Sequence, residues 1–242
     1  MTTYLRYELI RTFRNTRFVI FAFAFPLVLY LVIAAPNRHE HNLAGTGISA
    51  PLYYMVGLAT FAVMTGAVSS GARIAAERQV GWNRQLRITP LRSRSYLVTK
   101  VVTAYAMALV SILLLYVAGI ALGVRMSAGD WLEMTGLLLV GLIPFAALGI
   151  LVGHLVSADT IGPVMGGMAA LLALLGGTWF PITSGFMYDL ARSLPSYWLV
   201  RASHVPIGST GWGTLGWLVV AAWSIALIAL AARAYRRDTR PA

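Results

Sequence analysis

Six long apolar runs, separated by short polar intervals, dominate the chain: Phe18–Ala35, Leu52–Ala72, Tyr96–Val124, Leu132–Val156, Ile161–Phe180 and Trp212–Ala232. Each has the roughly 18–25 residues a membrane-crossing helix requires, and none carries Asp, Glu, Lys or Arg in its central part. Lipid offers no hydrogen-bond partner to an exposed backbone, so the runs are predicted as helices that satisfy their own N–H and C=O groups. Pro26, Pro144 and Pro163 fall inside them, which membrane helices tolerate. The expected fold is therefore all-α, with six transmembrane helices.

The intervals have patterns of their own. In Met1–Arg17, Leu5, Leu9, Thr12, Phe13 and Thr16 share one helical face while Arg6, Arg11, Arg14 and Arg17 share another. That arrangement predicts a helix lying in the headgroup layer. Its basic segment is too long, and Ile33–Pro36 too poor a cleavage site, for a removable signal peptide. Between the fifth and sixth runs, Pro181–Pro206 is too interrupted to span and too rich in Tyr, Trp and Leu for a free loop. Short helices entering the outer leaflet and returning are expected there.

The interval Glu77–Arg94 is the longest polar and basic stretch. The second helix is expected to continue past Arg73 to Glu77 and to be interrupted at Gly81. A short helix then fits Trp82–Ile88, with Trp82 and Leu86 on one face and Arg84 and Arg87 on another. Pro90 ends it, because proline disfavours helical geometry at the residue before it. A topological loop has no need of a Trp/Leu face, whereas a protein-docking element does.

Composition sharpens the class. Of 242 residues 58% are hydrophobic and 11% charged, against about a quarter charged in soluble domains, and mean hydropathy is +0.73. The net charge of +11 reports topology. With the N-terminus placed inside, fifteen basic residues fall on the cytoplasmic side and four (Arg38, Arg125, Arg192, Arg201) outside, which puts both termini in the cytoplasm. Lys100 is the only lysine among 19 basic residues, an arginine bias that points to a GC-rich bacterial genome. The absence of cysteine excludes disulfides and thiolate metal sites.

Little else carries chemistry. There is no G-x-x-x-x-G-K-[ST] to cradle nucleotide phosphates. His39-Glu40-His41-Asn42-Leu43 lacks the second histidine of a zinc helix, because Leu43 stands in its place. His154 and Asp159 could form a small relay, but they read better as an interfacial residue and a cap on the fifth helix. Asp130 and Glu133 read as a helix-start pair. Gly-x-x-x-Gly occurs at Gly119/Gly123, Gly149/Gly153 and Gly162/Gly166, little above chance in a chain with 23 glycines. No catalytic or metal-ligating set can be assembled. A secondary transporter driven by an ion gradient would need an acid or histidine at mid-membrane, and none is evident. A non-enzymatic membrane scaffold is compatible with the same pattern.

The motifs in order resemble the membrane subunits of ABC-2 type transporters, which include bacterial drug- and antibiotic-resistance permeases. The resemblance rests on Glu77-Arg78-Gln79-Val80-Gly81 with Leu86…Thr89-Pro90-Leu91, on Gly176-Gly177-Thr178-Trp179-Phe180-Pro181 followed by Leu194-Pro195-Ser196-Tyr197-Trp198, and on Tyr7-Glu8-Leu9…Arg14-Asn15…Arg17. It covers nearly the whole of residues 1–242 as one ABC-2 type transmembrane domain. Gln79 and Gln85 depart from the acids that many members carry, and Ser196 from an aliphatic residue. The resemblance implies a non-catalytic permease of an ATP-driven exporter in the bacterial inner membrane, moving an amphiphilic, drug-like or lipid-like substrate. It implies a second permease, identical or homologous, and a separate ATPase subunit that binds the ATP and Mg, with no cofactor in this chain. It further implies a coupling element formed by Glu77, Arg78, Gly81, Trp82, Arg84, Gln85, Leu86 and Arg87, and an outer re-entrant segment marked by Phe180, Pro181, Pro195 and Tyr197.

Overall fold

The computed structural model describes residues 2–43, 47–82, 85, 93–178, 182, 184–209 and 211–238. Among them there is no strand. In chain order the helices are α1 (Thr2–Arg14), α2 (Thr16–Val19), a π-helical segment (Ile20–Ala24), α3 (Phe25–Ala34), α4 (Ala50–Gln79), α5 (Ser93–Ala121), α6 (Ala128–Leu155), α7 (Ile161–Gly176), α8 (Phe186–Arg192), α9 (Pro195–Ser203), a 3₁₀ turn (Val205–Ile207) and α10 (Thr214–Asp238).

Four of these, α4, α5, α6 and α10, are long and apolar enough to cross a membrane. The other two predicted spans are shorter for identifiable reasons. In the first, Pro26 has no N–H to give and its ring crowds the carbonyl of Ala22, so the preceding turn widens into the π segment. The second, α7, ends at Gly176 instead of Phe180 because Gly177 takes a left-handed conformation (φ +79°) and closes the helix. The other predicted boundaries also move. The third run stops being helical at Ala121 and α6 begins at Ala128, whereas the second helix continues beyond its apolar run as expected, to Gln79, two residues past Glu77. At the start of α6, Ser127 and Asp130 form a reciprocal capping box (Asp130 N–H to Ser127 Oγ, 3.1 Å). Asp159 does not cap the fifth helix; Thr160 occupies that position.

The core lies between α4 and α6, where glycines let two backbones meet. A Cβ added at Gly71 would stand 2.2 Å from the carbonyl oxygen of Gly149, and one at Gly153 would stand 2.6 Å from that of Gly71. The Gly149/Gly153 pair is thus a real contact face, whereas Gly162 and Gly166 have nothing within 4 Å. The same two helices contribute Met55, Val56, Met64, Val68, Met134, Leu138 and Phe145 to the core, all buried. Two tyrosine hydroxyls reach backbone carbonyls of neighbouring helices: Tyr30 donates to the Pro51 carbonyl (3.1 Å) and Tyr105 to that of Leu139 (2.9 Å).

At one end of the bundle α9 packs chiefly against α6, with α7, α4 and α10 around it. The Trp198 indole donates to the Arg192 carbonyl (2.9 Å), Trp212 donates to that of Trp198 (2.7 Å), and Trp223 donates to that of Ser193 (2.7 Å). Gly216 lies against the Trp198 ring, where a Cβ would come within 2.5 Å. The opposite end gathers α1, the end of α4, the start of α5, the end of α6 and the end of α10, so the first and last helices close the same end.

Candidate functional site

The last turn of α4 is built by two adjacent residues of opposite charge that face opposite ways. Glu77 points into the bundle. Its Oε1 accepts from Lys100 Nζ on α5 (2.5 Å) and from Arg11 on α1, and its Oε2 accepts from the Tyr96 hydroxyl (2.9 Å). The same Lys100 ammonium donates to Glu8 Oε1 on α1 (2.6 Å), and Arg11 also pairs with Glu8 at 3.1 Å. One turn earlier on α4, Arg73 bonds the Thr12 hydroxyl. Lys100 is wholly buried, and Glu8 and Glu77 nearly so. Charges removed this far from water are tolerable only when paired and hydrogen-bonded, and here every carboxylate meets at least two donors.

Arg78 turns outward to the other side. Its Nε donates to Asp238 Oδ2 on α10 (2.8 Å), and its Nη1 reaches the carbonyls of Gly153 and Val156, both at 3.2 Å. His154 Nδ1 shares Asp238 Oδ2 at 3.0 Å. His154 therefore partners Asp238, not Asp159, and is a buried tie between helix ends instead of an interfacial residue. Tyr235 joins the two networks, stacked on Tyr96 and edge-on to His154.

Electrostatics reinforce the α1 side. Burial pushes the Tyr4 phenol well above its ordinary value, and the nearby Glu8 and Glu77 carboxylates push it further, so it stays protonated. Burial by itself would lower the Arg11 pKa, but the Glu77 and Glu8 carboxylates raise it overall, and its guanidinium remains charged.

Beyond this anchored turn the chain changes direction. Val80 caps α4 and Gly81 adopts φ +70°, with open space around it, so the backbone conformation and not crowding calls for glycine there. Trp82 follows, half-buried, with its indole beside the Tyr4 hydroxyl though not in a well-aligned hydrogen bond. Gln85 is exposed, and its N–H meets the Gly81 carbonyl at 3.3 Å. Arg84, Leu86 and Arg87 lie outside the described residues, as do Phe180 and Pro181 of the predicted outer segment. Pro195 begins α9 and is buried; Tyr197 is half-buried, edge-on to Tyr188 and Trp198.

Of the predicted coupling residues, then, Glu77 and Arg78 are the feet of two internal networks, and Gly81, Trp82 and Gln85 follow on from them. The partners Glu8, Arg11, Arg73, Tyr96, Lys100, His154 and Asp238 did not emerge as a group from the sequence. The available signal was the solitary lysine at position 100, together with an acid at position 8 on an otherwise basic helix. Among the described residues no group of three or more His, Asp or Glu could hold a metal ion.

A family model described as ABC-2 family transporter protein matches residues 46–233. The chain belongs to the ABC-2 transporter family. It is also 29% identical over 199 residues to a protein of Bacillus subtilis (strain 168) named "Putative transport permease YvfS", with 78% of each chain covered. Members of this family are membrane subunits of transporters and are generally not catalysts; ATP hydrolysis belongs to an ABC ATPase partner. The permease is thus a membrane protein whose apolar helices fit its family.

Proposed function

We propose that this chain, over residues 1–242, is one transmembrane domain acting as the permease half of an ATP-driven exporter in the bacterial inner membrane. It crosses the bilayer six times with both termini in the cytoplasm, and it works as a pair, with itself or with a homologous permease. The spans carry no charge at mid-membrane, which suits an amphiphilic, drug-like or lipid-like cargo and leaves the energy to be supplied by the partner ATPase with its ATP and Mg. That ATPase docks on the segment from Trp82 to Ile88, and Arg84 and Arg87 meet carboxylates on it. α8 and α9, with Phe180, Pro181, Pro195 and Tyr197, form the outer re-entrant segment.

One observation carries this reading. The end of α4 is anchored through Glu77 and Arg78 to four other helices and then hands over, through a positive-φ glycine, to the Trp82 segment. A force applied beyond Gly81 is delivered to the whole bundle end. The test is co-expression with the cognate ABC ATPase: the ATPase co-purifies, the permease alone hydrolyses no ATP, and Trp82→Ala with Arg84→Ala abolishes both association and transport. Association and transport unchanged by that double substitution would overturn the docking role. Transport by the isolated chain driven by an ion gradient alone would overturn the class.

A further inference from the structure

α1 is held by different means from the long helices α4 and α6, whose buried residues are mostly apolar. Among its described residues only Glu8 and Thr12 are buried; Tyr7, Ile10 and Phe13 are left substantially exposed. Both buried residues are polar, and each is bonded to a cation from the bundle: Glu8 to Lys100 on α5, Thr12 to Arg73 on α4. α1 is therefore fastened by charge and hydrogen bonds, not by an apolar face keyed into the core. A buried ion pair that loses one partner leaves an uncompensated charge away from water, which is strongly disfavoured.

Lys100 holds two acids at once. Its single ammonium lies 2.6 Å from Glu8 Oε1 and 2.5 Å from Glu77 Oε1, over the Tyr96 ring, with its side chain wholly buried. Glu77 is four residues before the Gly81 joint. Arg11 is the other cation of both carboxylates, but its side chain is half-exposed whereas that of Lys100 is wholly buried; a carboxylate that left Lys100 would strand an unpaired ammonium in the bundle, so Glu8 and Glu77 travel with it.

We infer that Lys100 is a positioning residue that ties α1 to the end of α4, so that a displacement entering at Gly81 carries α1 with it. The inference rests on the reading that an ATPase docks beyond Gly81. It makes the membrane-surface helix a moving part of the transport cycle, its displacement set by a contact some 90 residues away in sequence.

The chain contains no cysteine, so spin labels can be placed without background. Two pairs share an exposed reference, Leu155→Cys at the end of α6: Arg6→Cys reports α1 and Val80→Cys reports the end of α4. Double electron–electron resonance on the permease alone, in nanodiscs, is expected to give a narrow Arg6–Leu155 distance that broadens at least twofold with Lys100→Met and is restored by Lys100→Arg. Glu8→Gln, which cuts the Lys100 link to α1 while leaving the Lys100–Glu77 and Arg11–Glu77 pairs, should broaden it as well, and it serves if Lys100→Met does not fold. In the complex with the ATPase, adding ATP and vanadate should shift both distances; with Glu8→Gln the Val80 shift persists and the Arg6 shift falls below half. A narrow Arg6 distance in both variants, or an Arg6 shift undiminished by Glu8→Gln, overturns the inference. If the variants broaden the distance but nucleotide moves neither pair in the native complex, the ATPase reading fails, and with it the transmitted motion, while the Lys100 tie stands.

Discussion

Gly149 and Gly136 lie on the same helix, α6, and the structure assigns them opposite tolerances. A methyl added at Gly149 would come within 2.7 Å of the Ala67 carbonyl oxygen, 2.9 Å of that of Val68 and 3.0 Å of Ser70 Oγ. Two of these three atoms belong to the α4 backbone, which cannot rotate away as a side chain could. Ordinary contact begins near 3.4 Å, so the helices must part by several tenths of an ångström, and Gly71→Ala, facing Gly149 at 2.2 Å, demands more than 1 Å. Parting them loosens Val68, Ile74, Ile150 and Val152, which are buried on either side of the contact. Overpacking of this kind typically costs about 1–3 kcal/mol, and the better helix propensity of alanine returns up to ~1 kcal/mol. The expected net loss is ~1–2 kcal/mol for Gly149→Ala and somewhat more for Gly71→Ala. Gly136 has nothing within 4 Å, so Gly136→Ala should be neutral or slightly stabilising. Equilibrium unfolding in mixed micelles, followed by tryptophan fluorescence, measures all three. Equal effects at Gly136 and Gly149, or no loss at Gly71, would refute the claim that the α4–α6 backbone contact organises the bundle.

Lys100→Met should destabilise the chain by ~3–5 kcal/mol, because it leaves two buried carboxylates facing each other; adding Glu8→Gln and Glu77→Gln should recover more than half of that, and strict additivity in the same unfolding assay would refute the shared-ammonium geometry. Asp238→Asn weakens a pair whose side chains are about a quarter exposed. After solvent screening the expected cost is ~1–2 kcal/mol, seen as faster hydrogen exchange in the last turn of α10 with no change in α5. His204 follows α9, its Nδ1 2.6 Å from the Val200 carbonyl and its ring edge-on to Tyr53. Burial lowers its pKa from 6.5, and the Val200 bond offsets only part of this. The unfolded chain thus takes up a proton that the folded chain resists, so this contribution to stability is full above 6.5 and falls as pH drops from there through the lowered folded value. His204→Gln should flatten that part of the stability profile between pH ~7.5 and ~5; an unchanged slope would show that His204 does not contribute to it.

What could be read in the residues, and what could not, divides along a physical line. Apolar run length reported the helices because the bilayer fixes how many residues must be hydrophobic, and that requirement is local to each run. The ends moved wherever one residue's backbone chemistry outweighed its hydropathy. Trp179 and Phe180 continue the apolar run, but Gly177 had already turned the chain. The Gly81 joint was legible for the same reason: a glycine and a proline bracket a short Trp/Leu pattern, all within one segment. Charge was legible only as a sum. Counting Arg11, Arg73, Arg78 and Lys100 on one side of the membrane gave an orientation, yet all four are engaged within the bundle end, where each bonds a partner from another helix or its carbonyls. A tally of basic residues treats every arginine as equivalent, but a folded chain separates those that meet water or lipid from those that meet Glu8, Glu77 or Asp238. That distinction depends on which helix ends come together, and the contacts in question span 61 to 160 residues of sequence apart from the Lys100–Glu77 pair at 23. In sequence the Glu-Arg pair before Gly81 was legible only as part of the coupling element that the family resemblance implies, with no internal partners in view. In three dimensions its two charges are already spent inside the chain, so any partner docking on the Trp82 segment acts on the bundle through them and not by contacting them.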